Sequence, residues 1–224
     1  MDRRYFLSAG LVGIGSLLTG CRNKQFAQIT KPGQPDMVAS HQAGAETFTP
    51  LVQESVAKLL GRQAASAQIT PVSYGGAEEI PAPRKRICFV AVENKSAEEV
   101  GDFKDQLYQI IDTKILESQM FEPVSKRYVD AGLMETRLRP DQLFLPENMR
   151  VFTGFMEQAG QPFDYLLYAT ITSGTTRENQ EFQRDYLLTL ELVNIRTGQA
   201  EKESATITKT YHKSRVGRWF QSKA

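Results

Sequence analysis

FDYLLYATIT at residues 163–172 and DYLLTLELV at residues 185–193 decide the fold. Both segments alternate between apolar and polar positions, which is typical of half-buried β-strands. The polar residues 173–184 between them are interpreted as one turn. Gly198 lies in a second, tight turn, after which residues 203–208 return as a third strand. The sequence therefore predicts a three-stranded antiparallel meander, and the rest of the chain must cover its apolar face.

The composition is that of an ordinary globular protein. The chain has 224 residues, of which 41% are hydrophobic and 24% are charged, and its formal net charge is +1. This length accommodates one domain and additional terminal segments. Lysine and arginine form no basic stripe, so the charge pattern does not favour nucleic-acid binding.

The residues upstream of the meander predict a helix and a central strand. Apolar positions within residues 51–60 recur at helical spacing, with Thr47 or Thr49 as the N-cap and Gly61 as the stop. The continuous apolar run at residues 86–92 is typical of a central strand that is covered on both faces. A long loop rich in proline and glycine is expected to join the helix to this strand.

A second helix is predicted after the central strand. Ser96 and Glu99 have the spacing of a capping box, and apolar residues then recur every three or four positions as far as Ile115. Glu98, Glu99 and Asp102 near the start could serve acid–base chemistry as paired carboxylates, but they are interpreted as anions at the positive end of the helix dipole. A short strand at residues 120–124 follows this helix.

Two further helices precede the meander, one capped by Ser125 and one that begins at Pro146. The complete order is helix, strand, helix, strand, two helices and three antiparallel strands. This order predicts an α/β fold with a single mixed sheet of about five strands, packed by about four helices.

The N-terminus has the features of an export signal. Arg3 and Arg4 precede a short apolar segment that is too short to span a bilayer, which requires about 20 residues. Leu18-Thr19-Gly20-Cys21 resembles the lipobox of bacterial lipoproteins, and this resemblance implies that Cys21 becomes the diacylated N-terminus. Arg3-Arg4-Tyr5-Phe6-Leu7 also resembles a twin-arginine motif, so both Sec and twin-arginine export stay open.

These observations divide the chain into four segments. Residues 1–20 are predicted to be a lipoprotein signal peptide, and residues 21–46 a lipidated N-terminus with a flexible linker rich in glycine and proline. Residues 47–211 are predicted to be the globular domain. Residues 212–224 form a basic and aromatic tail.

A family resemblance extends through the predicted domain. The motifs that carry it are residues 87–96, Phe121-Glu122-Pro123-Val124-Ser125, Leu138-Arg139-Pro140-Asp141-Gln142, Tyr165-Leu166-Leu167-Tyr168, and Leu190-Glu191-Leu192-Val193 followed by Thr197-Gly198. Together they resemble the LpoB-type lipoproteins, which are outer-membrane activators of bifunctional penicillin-binding proteins. Their domain is related to the N-terminal domain of TolB, so the resemblance implies a TolB N-terminal-like fold.

The resemblance implies a lipid-anchored regulator at the outer membrane that faces the periplasm. Such a protein would bind and activate a peptidoglycan synthase, without enzymatic activity, a cofactor or a small-molecule substrate of its own. The alternative is an envelope scaffold, or a secretion-assembly lipoprotein of the CsgG/TolB-like type, that does not activate a synthase.

The cysteines and histidines argue against an enzyme. Cys21 is expected to be acylated, and Cys88 lies in an apolar strand, where a thiol behaves as a small hydrophobe. His41 falls in the predicted linker and His212 beyond the last predicted strand. No catalytic triad or zinc cluster can be assembled from these residues, so no catalytic residue and no metal site is predicted.

Five residues are candidates for partner binding. Arg137, Arg139, Arg177 and Arg184 lie in predicted connecting segments, and arginine is enriched at interface hot spots. Trp219, the single tryptophan of the chain, lies in the basic tail. That tail is expected either to fold back along the open sheet edge or to contact a partner.

Overall fold

A computed structural model of the chain describes residues 44–67, 84–178 and 181–211. In chain order the elements are α1 (Ala45–Ala67), β1 (Lys85–Lys95), α2 (Phe103–Glu117), β2 (Phe121–Pro123), α3 (Lys126–Thr136), a 3₁₀ helix (Pro140–Phe144), α4 (Pro146–Gln158), β3 (Tyr165–Glu178), β4 (Glu181–Asn194) and β5 (Ala200–Tyr211). The predicted signal peptide, most of the predicted linker and the predicted tail lie outside the described residues.

The strands form one mixed sheet in the order β2-β1-β3-β4-β5. β1 is parallel to both of its neighbours, whereas β3, β4 and β5 form an antiparallel meander. A bulge between Phe89 and Ala91 shifts the register of β1 against β3 and bends the central strand locally. The predicted fold class, a single mixed five-stranded sheet packed by four helices, is confirmed.

α1 and α2 cover one face of the sheet. Alternate residues of β4 point towards this face and are buried there, namely Tyr186, Leu188, Leu190 and Leu192. Phe48 of α1 packs edge-on against Tyr186, with ring centroids 6.1 Å apart. Each such buried side chain stabilises the fold by about 1.5–3 kcal/mol, so this layer contributes strongly to stability.

α3, the 3₁₀ helix and α4 cover the opposite face. Their core includes Val129, Leu143, Phe152 and Met156, packed against the far side of β1 and β3. The two helices approach closely at Gly132, because a Cβ atom there would lie 2.9 Å from Cε2 of Phe152 and 3.0 Å from Sδ of Met156. Glycine is therefore the residue that this helix contact requires.

α1 begins earlier than predicted. It spans Ala45–Ala67, so Thr47 and Thr49 lie inside the helix and the prediction that one of them is the N-cap was wrong. The carboxylate of Glu46 instead accepts the backbone N–H of Gly44 at 3.1 Å. This contact satisfies a donor that the helix itself leaves unpaired.

α1 also continues past the predicted stop at Gly61. Just beyond this glycine, Arg62 forms an ion pair with Glu203 at 2.5 Å, and Gln63 donates to the carboxylate of Glu201 at 2.7 Å. These contacts with β5 hold the next turn of the helix, whereas a helical glycine costs only about 1 kcal/mol. Tertiary contacts therefore override the local stop signal.

The second helix does not begin at the predicted capping box of Ser96 and Glu99. The side chain of Asn94 accepts the backbone N–H of Ser96 at 3.0 Å and donates to the backbone carbonyl of Glu98 at 2.7 Å. These local side-chain bonds replace helical ones, so α2 starts later, at Phe103. The interpretation of Glu98 as an anion at a helix N-terminus was wrong.

β3 and β4 continue through the segment that was interpreted as one polar turn. Thr175 pairs with Arg184 across the two strands, and the pairing extends to Glu178 and Glu181. Residues 174–177 of β3 are exposed on both faces, and backbone pairing there needs no apolar alternation, which is why the pattern failed to reveal it. The sheet therefore projects a long β3–β4 hairpin.

Candidate partner-binding site

Three potential nucleophiles of the domain, Cys88, Tyr108 and Tyr168, are buried. Cys88 is 0% exposed, and burial raises the pKa of its thiol well above the ordinary range. Burial likewise raises the pKa of Tyr108 and of Tyr168. A thiolate at Cys88 and phenolates at Tyr108 and Tyr168 are therefore unavailable near neutral pH.

Within residues 44–67, 84–178 and 181–211, no group of histidine, cysteine and acidic side chains could hold a metal ion. None of the helices described there is both long and apolar enough to span a bilayer.

The candidate arginines fall into two groups on different faces of the sheet. Arg137 and Arg139 follow α3, in the helical layer on the second face, and both are exposed. Arg177 and Arg184 lie on one face of the β3–β4 hairpin, because they pair with Phe182 and Thr175 respectively. Trp219 lies outside the described residues, as does the predicted acylation site Cys21.

Arg184 is engaged inside the domain. Its guanidinium forms an ion pair with Glu98 and donates to Oγ1 of Thr175 at 3.2 Å. The hydroxyl of Tyr186 donates to the same Glu98 carboxylate at 2.7 Å and lies 3.2 Å from the hydroxyl of Tyr211. This polar network ties the loop before α2 to the base of the hairpin.

The network also sets the protonation of its members. Burial, together with the hydrogen bonds to Tyr211 and Glu98, raises the pKa of Tyr186, so its hydroxyl stays protonated as a donor. Burial alone would lower the pKa of Arg184, but its contacts with Tyr186 and Glu98 raise it. Both groups therefore keep one charge state over the physiological range.

Aromatic rings close the network on its outer side. Phe182 stacks on Tyr211 with ring centroids 4.3 Å apart and an interplanar angle of 11°. The guanidinium carbon of Arg184 lies 5.8 Å from the centre of the Phe182 ring and 6.0 Å from that of Tyr211, within cation–π range. The end of β5 is thereby fixed to the hairpin.

The two ends of the described domain meet at this hairpin. Lys209 near the end of β5 forms an ion pair with Glu46 in the first turn of α1, at 3.2 Å. Burial alone would raise the pKa of Glu46, but its hydrogen bonds, including that from Lys209, lower it. The segments that precede residue 44 and follow residue 211 therefore join the domain at the same end of the sheet.

The helical layer on the second face exposes large apolar side chains. Met134 in α3 is 78% exposed, and Phe144, Leu145 and Val151 are each more than half exposed. All four lie in the segment 134–151, which also holds Arg137 and Arg139. Exposed apolar side chains next to arginine are typical of a protein-binding surface.

The sequence patterns missed Glu98 and Tyr186 as partners of Arg184. Glu98 and Arg184 are separated by 86 positions, and no local spacing links them. For Tyr186 one signal was available. It occupies a position of β4 where the alternation predicts an apolar side chain, and a buried tyrosine hydroxyl requires a hydrogen-bond partner.

The described residues thus combine a buried thiol with exposed apolar and cationic surfaces. The chain belongs to the LpoB family, because the family model described as peptidoglycan-synthase activator LpoB matches residues 73–204, more than half of the chain. Members of this family are activators of an enzyme and are not enzymes themselves. Their partner is a peptidoglycan synthase, which makes the chain a protein of the cell envelope.

Solved structures with similar folds include members of the same family. The LpoB C-terminal domain from Salmonella enterica is 14% identical, with a TM-score of 0.46, and the match covers 71% of this chain and 97% of that chain. The corresponding domain from Escherichia coli is 16% identical, with a TM-score of 0.44 and coverage of 70% and 97%. Lipoprotein GNA1162 from Neisseria meningitidis is 19% identical, with a TM-score of 0.39 and coverage of 62% and 92%. A search of curated protein sequences gave no significant match.

Proposed function

We propose that the protein is anchored in the outer membrane through acylated Cys21, faces the periplasm and activates a bifunctional penicillin-binding protein. The match to the LpoB family over residues 73–204 carries this proposal. The anchor is supported by the Leu18-Thr19-Gly20-Cys21 motif. Two acyl chains hold a protein on a bilayer stably, whereas a single chain gives only marginal binding.

The proposed domain organisation follows from this anchor. Residues 1–20 are removed as a signal peptide, and residues 21–46 tether the domain to the membrane. Residues 47–211 reach the synthase, and residues 212–224 add a second contact through Trp219. At about 3.3–3.6 Å per residue, an extended tether of this length reaches some tens of ångströms from the bilayer surface.

We propose that the synthase contacts the helical layer on the second face. Met134, Phe144 and Val151 supply apolar area there, and Arg137 and Arg139 supply planar cations that suit carboxylates. Burying one exposed large apolar side chain in an interface favours binding by about 1.5–3 kcal/mol. Arg177 on the hairpin is a proposed contact on the other face.

The anchor is tested by replacing Cys21 with alanine. We expect Cys21→Ala to abolish incorporation of labelled palmitate and to release the protein from the outer-membrane fraction. Cys88→Ala is the matched control, because a buried thiol takes no part in acylation. Labelled palmitate on the Cys21→Ala protein would contradict the proposed anchor.

The contact surface is tested by charge reversal. Arg137→Glu combined with Arg139→Glu should weaken binding to the cognate synthase by at least tenfold, because two cations become two anions on an exposed surface. Lys104→Glu is the control, since Lys104 is an exposed cation of α2 on the opposite face. Equal affinities of the double variant and the control would remove this surface from the proposal.

A further inference from the structure

An open cleft lies at the end of the sheet opposite to the β3–β4 hairpin. It has a volume of about 510 Å³ and is formed by α4, the residues just before β3 and the residues just after β4. Binding sites for a small ligand or a protruding side chain have volumes of roughly 300–1,000 Å³. The cleft is therefore large enough for one large side chain and its neighbouring backbone.

The floor of the cleft is apolar. Met149, Phe163 and Ile195 line it, and all three pack against the core of the second face. Phe163 is held in place by Phe152, with ring centroids 5.9 Å apart. A rigid apolar floor favours an apolar occupant, because its burial removes area from water without ordering new side chains.

The rim of the cleft carries three arginines, Arg86, Arg150 and Arg196. Arg86 donates to the backbone carbonyl of Pro162 at 2.8 Å and to Gln161 at 2.7 Å, and its Nε forms a long ion pair with Glu122 at 3.7 Å. Arg150 has no ion pair within the described ranges. The third, Arg196, is 79% exposed at its side chain.

Of the two carboxylates that line the cleft, Asp164 forms an ion pair with one of its arginines. Asp164 accepts the backbone N–H of Arg86 at 2.9 Å, and its ion pair with Arg196 is long, at 3.5 Å. Glu157 is the other carboxylate of the lining and is exposed to solvent. Arg86 is paired with Glu122, so the cations that can complement an acidic partner are Arg150 and Arg196.

The position of the cleft keeps it clear of the domain's chain ends. Glu46 at the start of α1 is bonded to Lys209, and Lys209 pairs with Arg184 near the hairpin. Ile195 of the cleft follows the other end of β4, which is about 30 Å away along the strand at roughly 3.3 Å per residue. The cleft therefore lies at the end of the sheet opposite to residues 44 and 211, where the described part of the chain begins and ends.

We infer that this cleft binds an acidic segment of the partner synthase that inserts one large apolar side chain. The apolar side chain lies on Met149, Phe163 and Ile195, and the flanking carboxylates pair with Arg150 and Arg196. This inference rests on the proposed function, because the occupant belongs to the synthase. It adds the chemistry by which the synthase is recognised.

Gly154 offers a direct test, because it lines the cleft and a Cβ atom built on it meets nothing within 4 Å. Gly154→Leu should fill the cleft without disturbing the core. Gly61→Leu is the matched control, since Gly61 also lies inside a helix with nothing within 4 Å of an added Cβ. With the purified full chain in detergent and the full-length cognate penicillin-binding protein, we expect Gly154→Leu to weaken binding at least tenfold. Gly61→Leu should stay within twofold of the wild type.

Charge reversal supplies a second, independent variant. Arg150→Glu combined with Arg196→Glu should also weaken binding at least tenfold and reduce its dependence on salt, whereas Lys104→Glu should not. If Gly154→Leu fails to fold, as judged by circular dichroism, the charge-reversal variant decides. Wild-type affinity in a folded Gly154→Leu protein, or in the Arg150→Glu and Arg196→Glu double variant, would overturn the inference. So would weaker binding to purified peptidoglycan sacculi with synthase binding unchanged. A wild-type chain that does not bind the synthase would instead contradict the proposed function.

Discussion

Alanine at Gly154 and alanine at Gly132 should have different effects on the free energy of unfolding. Gly132 lies in α3 and Gly154 in α4. A glycine in a helix interior costs about 1 kcal/mol relative to alanine, so both substitutions gain this amount. At Gly154 the added methyl group meets open space within 4 Å. Gly154→Ala should therefore raise the free energy of unfolding by about 1 kcal/mol.

At Gly132 the added Cβ would lie 2.9 Å from Cε2 of Phe152 and 3.0 Å from Sδ of Met156. Both of these side chains are fully buried, so α3 and α4 must move apart to admit the methyl group. Overpacking of this kind costs about 1–3 kcal/mol. Because the propensity gain is common to both variants, their difference in unfolding free energy measures this packing cost alone.

Urea unfolding followed by circular dichroism, with thermal melts in parallel, measures the difference. Gly132→Ala should be less stable than Gly154→Ala by about 1–3 kcal/mol, which corresponds to roughly 2–4 °C in Tm per kcal/mol for a domain of this size. Gly61→Ala, at another open helical position, should behave like Gly154→Ala. Equal stabilities for the Gly132 and Gly154 variants would refute the close approach of α3 and α4.

The remaining predictions concern buried charges and the buried thiol. A double-mutant cycle on Glu98→Gln and Arg184→Met should give a coupling energy of about 1–3 kcal/mol in urea unfolding, because the pair is mostly shielded from solvent; additive effects would contradict the pairing. Cys88 should react with a thiol reagent only on global unfolding, since it is buried and its pKa is raised; rapid labelling of the native domain would count against this burial. Burial raises the pKa of Asp112 above its ordinary 3.8, so its ionised form destabilises the fold as pH rises through that range. Asp112→Asn should therefore raise Tm at pH 7 and lose this advantage towards pH 3. The pKa of Glu46 is lowered from 4.5, so its contribution is present at neutral pH and is lost on acidification. Glu46→Gln should thus lower Tm at pH 7 but not at pH 3; pH-independent effects of these two variants would refute the signs.

Much of the fold could be predicted because it follows from local patterns. The alternation at residues 163–172 and 185–193 reflects strands with one buried face, and β3 and β4 contain them. The continuous apolar run of β1 reflects burial on both faces, where Ile87 to Val90 are all buried. Pro146 starts α4 as predicted. In each case the residue type itself carries the physical signal.

The errors occur where distant residues decide the local structure. α1 passes Gly61 because its next turn is held by Glu201 and Glu203, which are more than a hundred positions away. Glu98 finds its partner on the hairpin rather than on a helix end. The cleft likewise joins Arg86, Arg150 and Arg196 from three separate segments. No periodicity in the sequence encodes contacts of this kind.

The rate of glycan polymerisation by the cognate bifunctional penicillin-binding protein tests the central claim most directly. The purified synthase is incubated with its lipid-linked substrate in detergent, with and without a molar excess of this protein. We expect a faster rate with the protein present and no polymerisation by the protein alone. Binding without a change in rate would favour a scaffold, and an unchanged rate without binding would contradict the account.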